Sequence, residues 1–302
     1  MNRRILLKRL KEAITSTSLP ELPKWTPPFM VLPPGIMPGL RKICRVIEVR
    51  AKRIVITTIT TPEVVNITEG EELPDATQEI RNITIEPKEY GVKQFISDQV
   101  IEDWGVEQLE AIEKSHIMAG IRKQDEIIVN ALTSNEDITV IYGGGKSAEA
   151  DLTDEDKFTW DFLIDLKMKM LKRGYDLSTG EWILLLHPKQ KVDLLKSMDK
   201  GFIRLAARGF GKFGDNQIEF PKLFNIRLIP FDALPTGSTS SGLTTYHAFL
   251  LKSGYSIVLA IPRKLRTQVQ RDILKRGFHI MTTMRVGAAV IDPNSVLRIV
   301  TT

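Results

Sequence analysis

Residues able to do chemistry are few and scattered in this 302-residue chain. Gly143-Gly144-Gly145-Lys146-Ser147 has the ending of a phosphate-binding loop, where backbone N–H groups and a lysine cradle phosphate oxygens. The full pattern needs a glycine where Val140 stands, and the acidic run Glu149 to Asp156 follows where a helix N-terminus should attract an anion. Arg208-Gly209-Phe210-Gly211-Lys212-Phe213-Gly214 is a basic loop whose aromatics could stack on nucleic-acid bases, or a flexible loop at a subunit junction. His116, His187, His247 and His279 have no second ligand at metal spacing, so each reads as a structural or surface histidine. Asp161 and Asp165 stand four apart, with Asp151, Asp154, Glu155 and Asp156 ahead of them, and a solvated helix cap accounts for all six. Cys44 is alone, which excludes a disulfide within the chain and a cysteine-based metal site, and fits a reducing compartment. With no Gly-x-Ser-x-Gly elbow either, the expectation is a protein that is not an enzyme and that needs no cofactor and no metal.

The charge distribution is uneven. Residues 1–53 carry twelve basic and three acidic side chains, whereas the chain as a whole is only +5. A basic arm facing a polyanion or an acidic partner fits this asymmetry, as does a solvated charged terminus. No apolar run reaches the roughly 20 residues of a membrane span, and Lys8, Arg9 and Lys11 interrupt Ile5-Leu6-Leu7 before it attains signal-peptide length. The expected place of synthesis is the cytoplasm, with no membrane partner. The hydrophobic content of 42% suffices for a normal core.

Ile5, Leu6, Leu10 and Ile14 predict a short basic amphipathic helix, with Arg3, Arg4, Lys8, Arg9 and Lys11 available to a nucleic acid. Seven of the sixteen prolines then fall between Pro20 and Pro38, which excludes helix and central strand. At about 3.1 Å per residue such an arm could reach roughly 60 Å. Trp25, Phe29 and Met30 lie on it, and apolar side chains on an arm that cannot fold on itself need another surface, most simply a neighbouring subunit. A strand from Ile54 through Ile67 and a returning strand at Ile80, Ile83 and Ile85 flank the acidic tip Glu69-Gly70-Glu71-Glu72-Leu73-Pro74-Asp75. An isolated hairpin is marginal in water, nothing nearby in the sequence covers this one, and it is expected to lie on another subunit.

Ser97 to Trp104 predicts a short helix, and Val106 to Leu132 a long one of about 42 Å. Phe158 to Lys172 predicts a further helix stopped by Gly174. Trp182 to Leu186 predicts a buried strand, followed by a helix from Lys189 to Met198. Strands are predicted at Ile218–Phe220, Ile226–Pro230, Ala248–Leu251, Ser256–Ile261, Phe278–Val286, Ala288–Ile291 and Val296–Val300, with 235–242 a loop. The order is mixed α+β without regular βαβ alternation.

The order of these parts resembles the major capsid proteins of tailed double-stranded DNA viruses, the Hong Kong 97-like fold. The resemblance rests on the proline-bearing arm, the Glu69-Gly70-x-x-x-Pro74 tip, the short helix, the long helix containing Asp125, Leu184-Leu185-Leu186-His187-Pro188, Arg285-Val286-Gly287-Ala288-Ala289-Val290 and Pro293-Asn294-Ser295-Val296. It covers about Leu40 to Val300. It implies an N-terminal arm at 1–52, an extended loop at 53–92, a peripheral domain at 93–155 carrying the spine helix, an axial domain at 156–254, and return strands of the peripheral domain at 255–302 pairing beside the spine. Expected inter-subunit contacts are Trp25, Phe29, Met30, Glu69, Gly70, Glu71, Glu72, Pro74 and Asp75. The implied partners are copies of the chain itself, as pentamers and hexamers in an icosahedral shell, non-specifically packaged double-stranded DNA, and portal, scaffolding or decoration proteins. Only a short basic helix precedes the arm, so scaffolding is expected to be separate or absent. Lys88 is the only lysine between Lys52 and Lys93 and sits at the strand base, so no covalent crosslink is expected. An encapsulin-type nanocompartment shares the fold and is the alternative; a soluble α+β enzyme or nucleic-acid-binding oligomer is the third reading.

Overall fold

The structure is a computed structural model that describes residues 39–59, 80–104, 107–177, 181–197, 222–223 and 226–302. In chain order the strands are β1 (Arg45–Ile47), β2 (Ile54–Ile59), β3 (Ile80–Ile85), β4 (Lys88–Ser97), β5 (Thr139–Tyr142), β6 (Trp182–Leu186), β7 (Lys222–Leu223), β8 (Ile226–Pro230), β9 (Thr236–Ser238), β10 (Thr244–Lys252), β11 (Ile257–Asp272), β12 (Gly277–Val290) and β13 (Val296–Thr301). The α-helices are α1 (Asp98–Trp104), α2 (Glu107–Thr133), α3 (Trp160–Lys172) and α4 (Pro188–Ser197). The expected strand at 218–220, the helix at 3–14, the proline-rich arm and the loop 208–214 lie outside the described residues.

Two sheets organise the body. A seven-stranded sheet runs β5-β13-β10-β6-β8-β7 with β9 beside β10, and a four-stranded sheet runs β1-β11-β12-β4. Apolar cover on both faces of the larger sheet explains why Trp182-Ile183-Leu184-Leu185-Leu186 is buried at every position and does not alternate. On one face Leu184, Leu186, Ala248, Leu250 and Ile299 pack with Leu163, Leu166 and Met170 of α3. On the other, Ile183, Leu185, Phe249 and Leu251 join Ile128, Val129 and Leu132 of α2 and Leu259, Met284 and Val286 of the smaller sheet. The spine α2 thus sits where both sheets meet.

Local signals set the ends of α3. Thr159 accepts from the Phe162 N–H at its start, and Gly174, at φ 82°, lets the N–H groups of Gly174 and Tyr175 return to Leu171 and Met170.

The sequence reading needs several corrections. The inner part of the arm, 39–52, is built into the body: Leu40, Ile43 and Cys44 belong to the main core and β1 pairs in parallel with β11. Proline crowding ends at Pro38, and the apolar residues after it are free to fold. β4 and β5 are strands the pattern did not predict, and a short strand, β9, interrupts the expected loop at 235–242. Phe278–Val286 and Ala288–Ile291 are one strand, because Gly287 does not break it; its missing side chain admits Ile85 and Pro87, each within 3.0 Å of where a Cβ would sit. β13 pairs with β10 and β5 in the larger sheet, while β11 and β12 of the smaller sheet pack along the spine.

Candidate assembly surfaces

The glycine-lysine run is a structural corner. Gly144 has φ 60° and packs on the Asp156 carboxylate, which also accepts from the N–H and hydroxyl of Thr153, so a carboxylate stands where a phosphate would need cations. His247 is buried on β10; its Nδ1 accepts from Arg298 at 3.0 Å, and its Nε2 lies 3.2 Å from Glu149, which also accepts from Thr245. Burial, and next the Arg298 charge, hold its pKa below the usual histidine value, so the ring is a neutral tie between β10, β13 and the turn at Glu149. His116 meets Gln94 and Thr282, His187 stacks on Tyr246, and His279 meets Asp272. Each histidine has a structural partner. Among the described residues no group of three or more His, Cys, Asp or Glu could hold a metal ion. No described helix is long and apolar enough to cross a membrane.

Two features of the described surface bear on the sequence reading, the start of the described chain at Gly39 and the β2–β3 hairpin. Leu40, next to the point where the N-terminal segment joins the body, donates its N–H to Asp125 of the spine at 2.7 Å. Gly39 fits tightly there, since a Cβ would lie 3.3 Å from Ile121 and 3.6 Å from Asp125.

The β2–β3 hairpin is the second feature. Its first pair, Ile54 and Ile85, is buried with Val258 and Ala260 of β11, so its base is covered by its own chain, contrary to the sequence reading. Further out the cover is lost: Ile59 and Ile80, paired at the end of the described ladder, are each 63% exposed. Arg285 fixes the base by donating to the carbonyls of Pro87 at 3.0 Å and Lys52 at 3.4 Å, the residues just outside the two hairpin strands. A hollow of about 680 Å³ opens between β3 and the end of the spine, lined by Asn82, Ile83, Asn135, Asp137, Val290 and Pro293. Over its described residues the hairpin therefore becomes exposed with distance from its clamped base.

Sequence reasoning missed Arg285 as a functional residue. Its acceptors are backbone carbonyls distant in sequence, so the residue types carried no signal of the clamp. The expected contact residues Trp25, Phe29, Met30, Glu69, Gly70, Glu71, Glu72, Pro74 and Asp75 lie outside the described residues, as do Arg3, Arg4, Lys8, Arg9 and Lys11.

The family model for the phage capsid family matches residues 34–300. The chain belongs to that family. As a major capsid protein it is a structural subunit, and copies of it assemble into the icosahedral shell of a virion. Solved capsids share its Hong Kong 97-like fold at low identity. The Cyanophage Pam1 capsid superposes with a TM-score of 0.69 at 11% identity, covering 95% of this chain and 98% of that one. The capsid of Ralstonia phage GP4 gives 0.67 at 12%, covering 95% and 98%, and the capsid of a native GTA particle 0.65 at 14%, covering 100% and 99%. No curated protein matches it in sequence.

Proposed function

We propose that this capsid subunit forms pentamers and hexamers that close into a shell around double-stranded DNA, assembling in the host cytoplasm. The carrying observation is the hairpin at Ile54–Ile85: clamped at its base by Arg285, it carries apolar side chains outward that its own body does not cover. Overlapping hairpins and arms would let each copy engage several neighbours. Once one contact forms the others are effectively intramolecular, so modest contacts give a stable shell. Closed symmetry ends growth.

In this reading 1–52 supplies the arm, 53–92 the extended loop, 93–155 with 255–302 the peripheral domain and 156–254 the axial domain, although β5 and β13 extend the axial sheet. Trp25, Phe29 and Met30 and the tip residues Glu69 to Asp75 contact neighbours. Arg3, Arg4, Lys8, Arg9 and Lys11 face inward and offset phosphate charge in a salt-dependent, sequence-independent way. Portal, scaffolding or decoration proteins complete the particle.

Electron microscopy of the purified protein, with extraction of its contents, tests the proposal. Closed shells containing nuclease-protected DNA are expected from infected or producing cells. A chain eluting as a small oligomer refutes assembly, and shells loaded with an enzyme favour a nanocompartment. Modification of Lys8 and Lys11 in intact particles by an impermeant amine reagent would contradict the inward arm.

A further inference from the structure

Where the end of the spine meets the larger sheet, a histidine and an arginine make a contact whose geometry depends on a single proton. Arg298 of β13 donates to Nδ1 of His247 through both Nε, at 3.0 Å, and Nη2, at 2.9 Å. A guanidinium keeps its protons and has no lone pair to offer, so Nδ1 carries no hydrogen and the ring's one hydrogen sits on Nε2. Nε2 lies 3.2 Å from Glu149. Glu149 is held there by the Thr245 hydroxyl and by Gly237, where any Cβ would collide with the carboxylate. The remaining guanidinium nitrogen, Nη1, donates to the Thr133 carbonyl at 3.4 Å. Thr133 is the last residue of α2; the final carbonyls of a helix lack partners within it, and its negative end favours a cation. A neutral His247 therefore holds Arg298 where it ties the spine to β13.

A second proton has only Nδ1 to bind. There it sets N–H against N–H and cation against cation, across the 3.0 Å now spanned by a hydrogen bond. The two partners differ in their freedom to leave. The His247 side chain is 3% exposed and its imidazolium gains from Glu149, whereas Arg298 is only half-buried and a long side chain can carry its charge to water. Arg298 from β13 and Glu149 from the turn are the charged groups whose fields reach the ring, and the spine contributes the Thr133 carbonyl. β5, β6 and β9 hold no charged residue, and His187, just past β6, turns to Tyr246.

We propose that His247 and Arg298 form an acid-released latch between the spine and the larger sheet: a solvent proton on Nδ1 expels Arg298, the imidazolium stays with Glu149, and the Thr133 end of the helix loses its tie to β13. No covalent bond changes. The latch belongs to the folded subunit and stands whether or not shells form. Burial, and next the Arg298 charge, hold the His247 pKa below the ordinary 6.5, so the contribution is fully present above 6.5 and is lost as pH falls through the folded value. Asp125 on the same helix has the opposite sign, its pKa raised by burial to about 6, so acid firms the Leu40 anchor while it frees the helix end.

Hydrogen exchange of the unassembled subunit, corrected for the intrinsic effect of pH, reads the latch between about pH 7.5 and about pH 4.5. Wild-type protection of Asn130–Ser134 should fall about tenfold or more on acidification while Trp182–Leu186 keeps its own. His247→Gln offers an amide oxygen to Arg298 and an amide N–H to Glu149 without a group that titrates, so its helix end should show the same protection throughout. Arg298→Met should show the acid form's exchange at every pH. The imidazole nitrogen resonances of the wild-type subunit give a readout independent of any variant: hydrogen on Nε2 alone at about pH 7.5, and protonation of Nδ1 in step with the loss of protection. Wild-type protection that does not vary with pH, a glutamine variant that loosens in acid as the wild type does, or a ring still neutral when the helix end opens each overturns the latch.

Discussion

Asp125 gives the sharpest energetic prediction. Its side chain is 5% exposed, its Oδ1 accepts from the Leu40 N–H at 2.7 Å, and burial raises its pKa to about 6 from the model-compound 3.8, the Leu40 hydrogen bond offsetting part of the rise. A carboxyl whose folded pKa lies above its unfolded one binds its proton more tightly in the native state. Its contribution is therefore fully present below about pH 4 and is lost as pH rises through about 6. The shift corresponds to about 3 kcal/mol at about 1.4 kcal/mol per unit, and residual solvent screening reduces the expected loss to about 1–2 kcal/mol. Asp125→Asn keeps an oxygen for Leu40 and removes the charge. At about pH 7.5 it should stabilise the unassembled subunit by about 1–2 kcal/mol and flatten the profile down to about pH 4.5. Asp125→Ala removes the same charge but orphans a buried N–H at a cost of about 1–3 kcal/mol, so it should fall clearly below the asparagine variant. Urea titrations followed by tryptophan fluorescence at both pH values decide the matter. An asparagine variant that retains the wild-type pH slope, or is less stable than wild type at about pH 7.5, refutes the account of a buried, charge-penalised anchor.

Three further outcomes follow from the same packing. Cys44 is buried, and desolvation, then the Asp125 charge, push its thiol up to about 12, so Ellman's reagent should leave it unmodified in the native subunit and titrate it fully after unfolding. Arg285→Ala releases the Pro87 and Lys52 carbonyls; it should cost about 1–3 kcal/mol, raise hydrogen exchange across Ile54–Ile59 above that of Thr244–Lys252, and lower particle yield, whereas unchanged exchange at the hairpin would show that Arg285 does not hold it. Gly144→Ala places a side chain at φ 60° against the Asp156 carboxylate and should lower stability by about 1–3 kcal/mol in the same urea assay, with Gly145→Ala milder because nothing lies within 4 Å of its Cβ position.

Elements buried on both faces or framed by caps were legible in the sequence. Trp182–Leu186 reads as a strand because five consecutive apolar residues can only be buried, and α3 declares itself between Thr159 and Gly174. β4 hid because most of its positions are exposed, and Gly91 at its middle has no side chain to contribute to a pattern. The distal half of β11 hid for a similar reason: beyond Ile261 it is Pro-Arg-Lys-Leu-Arg-Thr-Gln-Val-Gln-Arg-Asp, mostly polar and broken by Pro262, and it is a strand because β12 holds it as a partner. Arg285 was invisible as a clamp because its acceptors are backbone carbonyls 198 and 233 residues away, and carbonyls leave no trace in residue types.

The long β11–β12 ladder runs from an exposed turn to the base of the hairpin. Its closed end carries the exposed turn at Asp272–Gly277, and Arg285, eight positions along β12, holds the hairpin base about 27 Å away at about 3.4 Å per residue. The pairing is regular from Asp272 to Thr267, then shifts register between Arg266 and Arg263 and again between Arg263 and Ala260. Pro262 lies inside the second shift; lacking an N–H it cannot fill the ladder there, and a strand that loses a rung bends and twists more strongly. Arg263 pairs with Arg285 between the two shifts, and like charges opposite one another are unfavourable unless each is drawn elsewhere. Each is: Arg263 to Glu89 on β4, and Arg285 to the hairpin carbonyls. The bend in the ladder and the grip on the hairpin are thus one local arrangement, and paired backbone connects the exposed turn to the base of the hairpin.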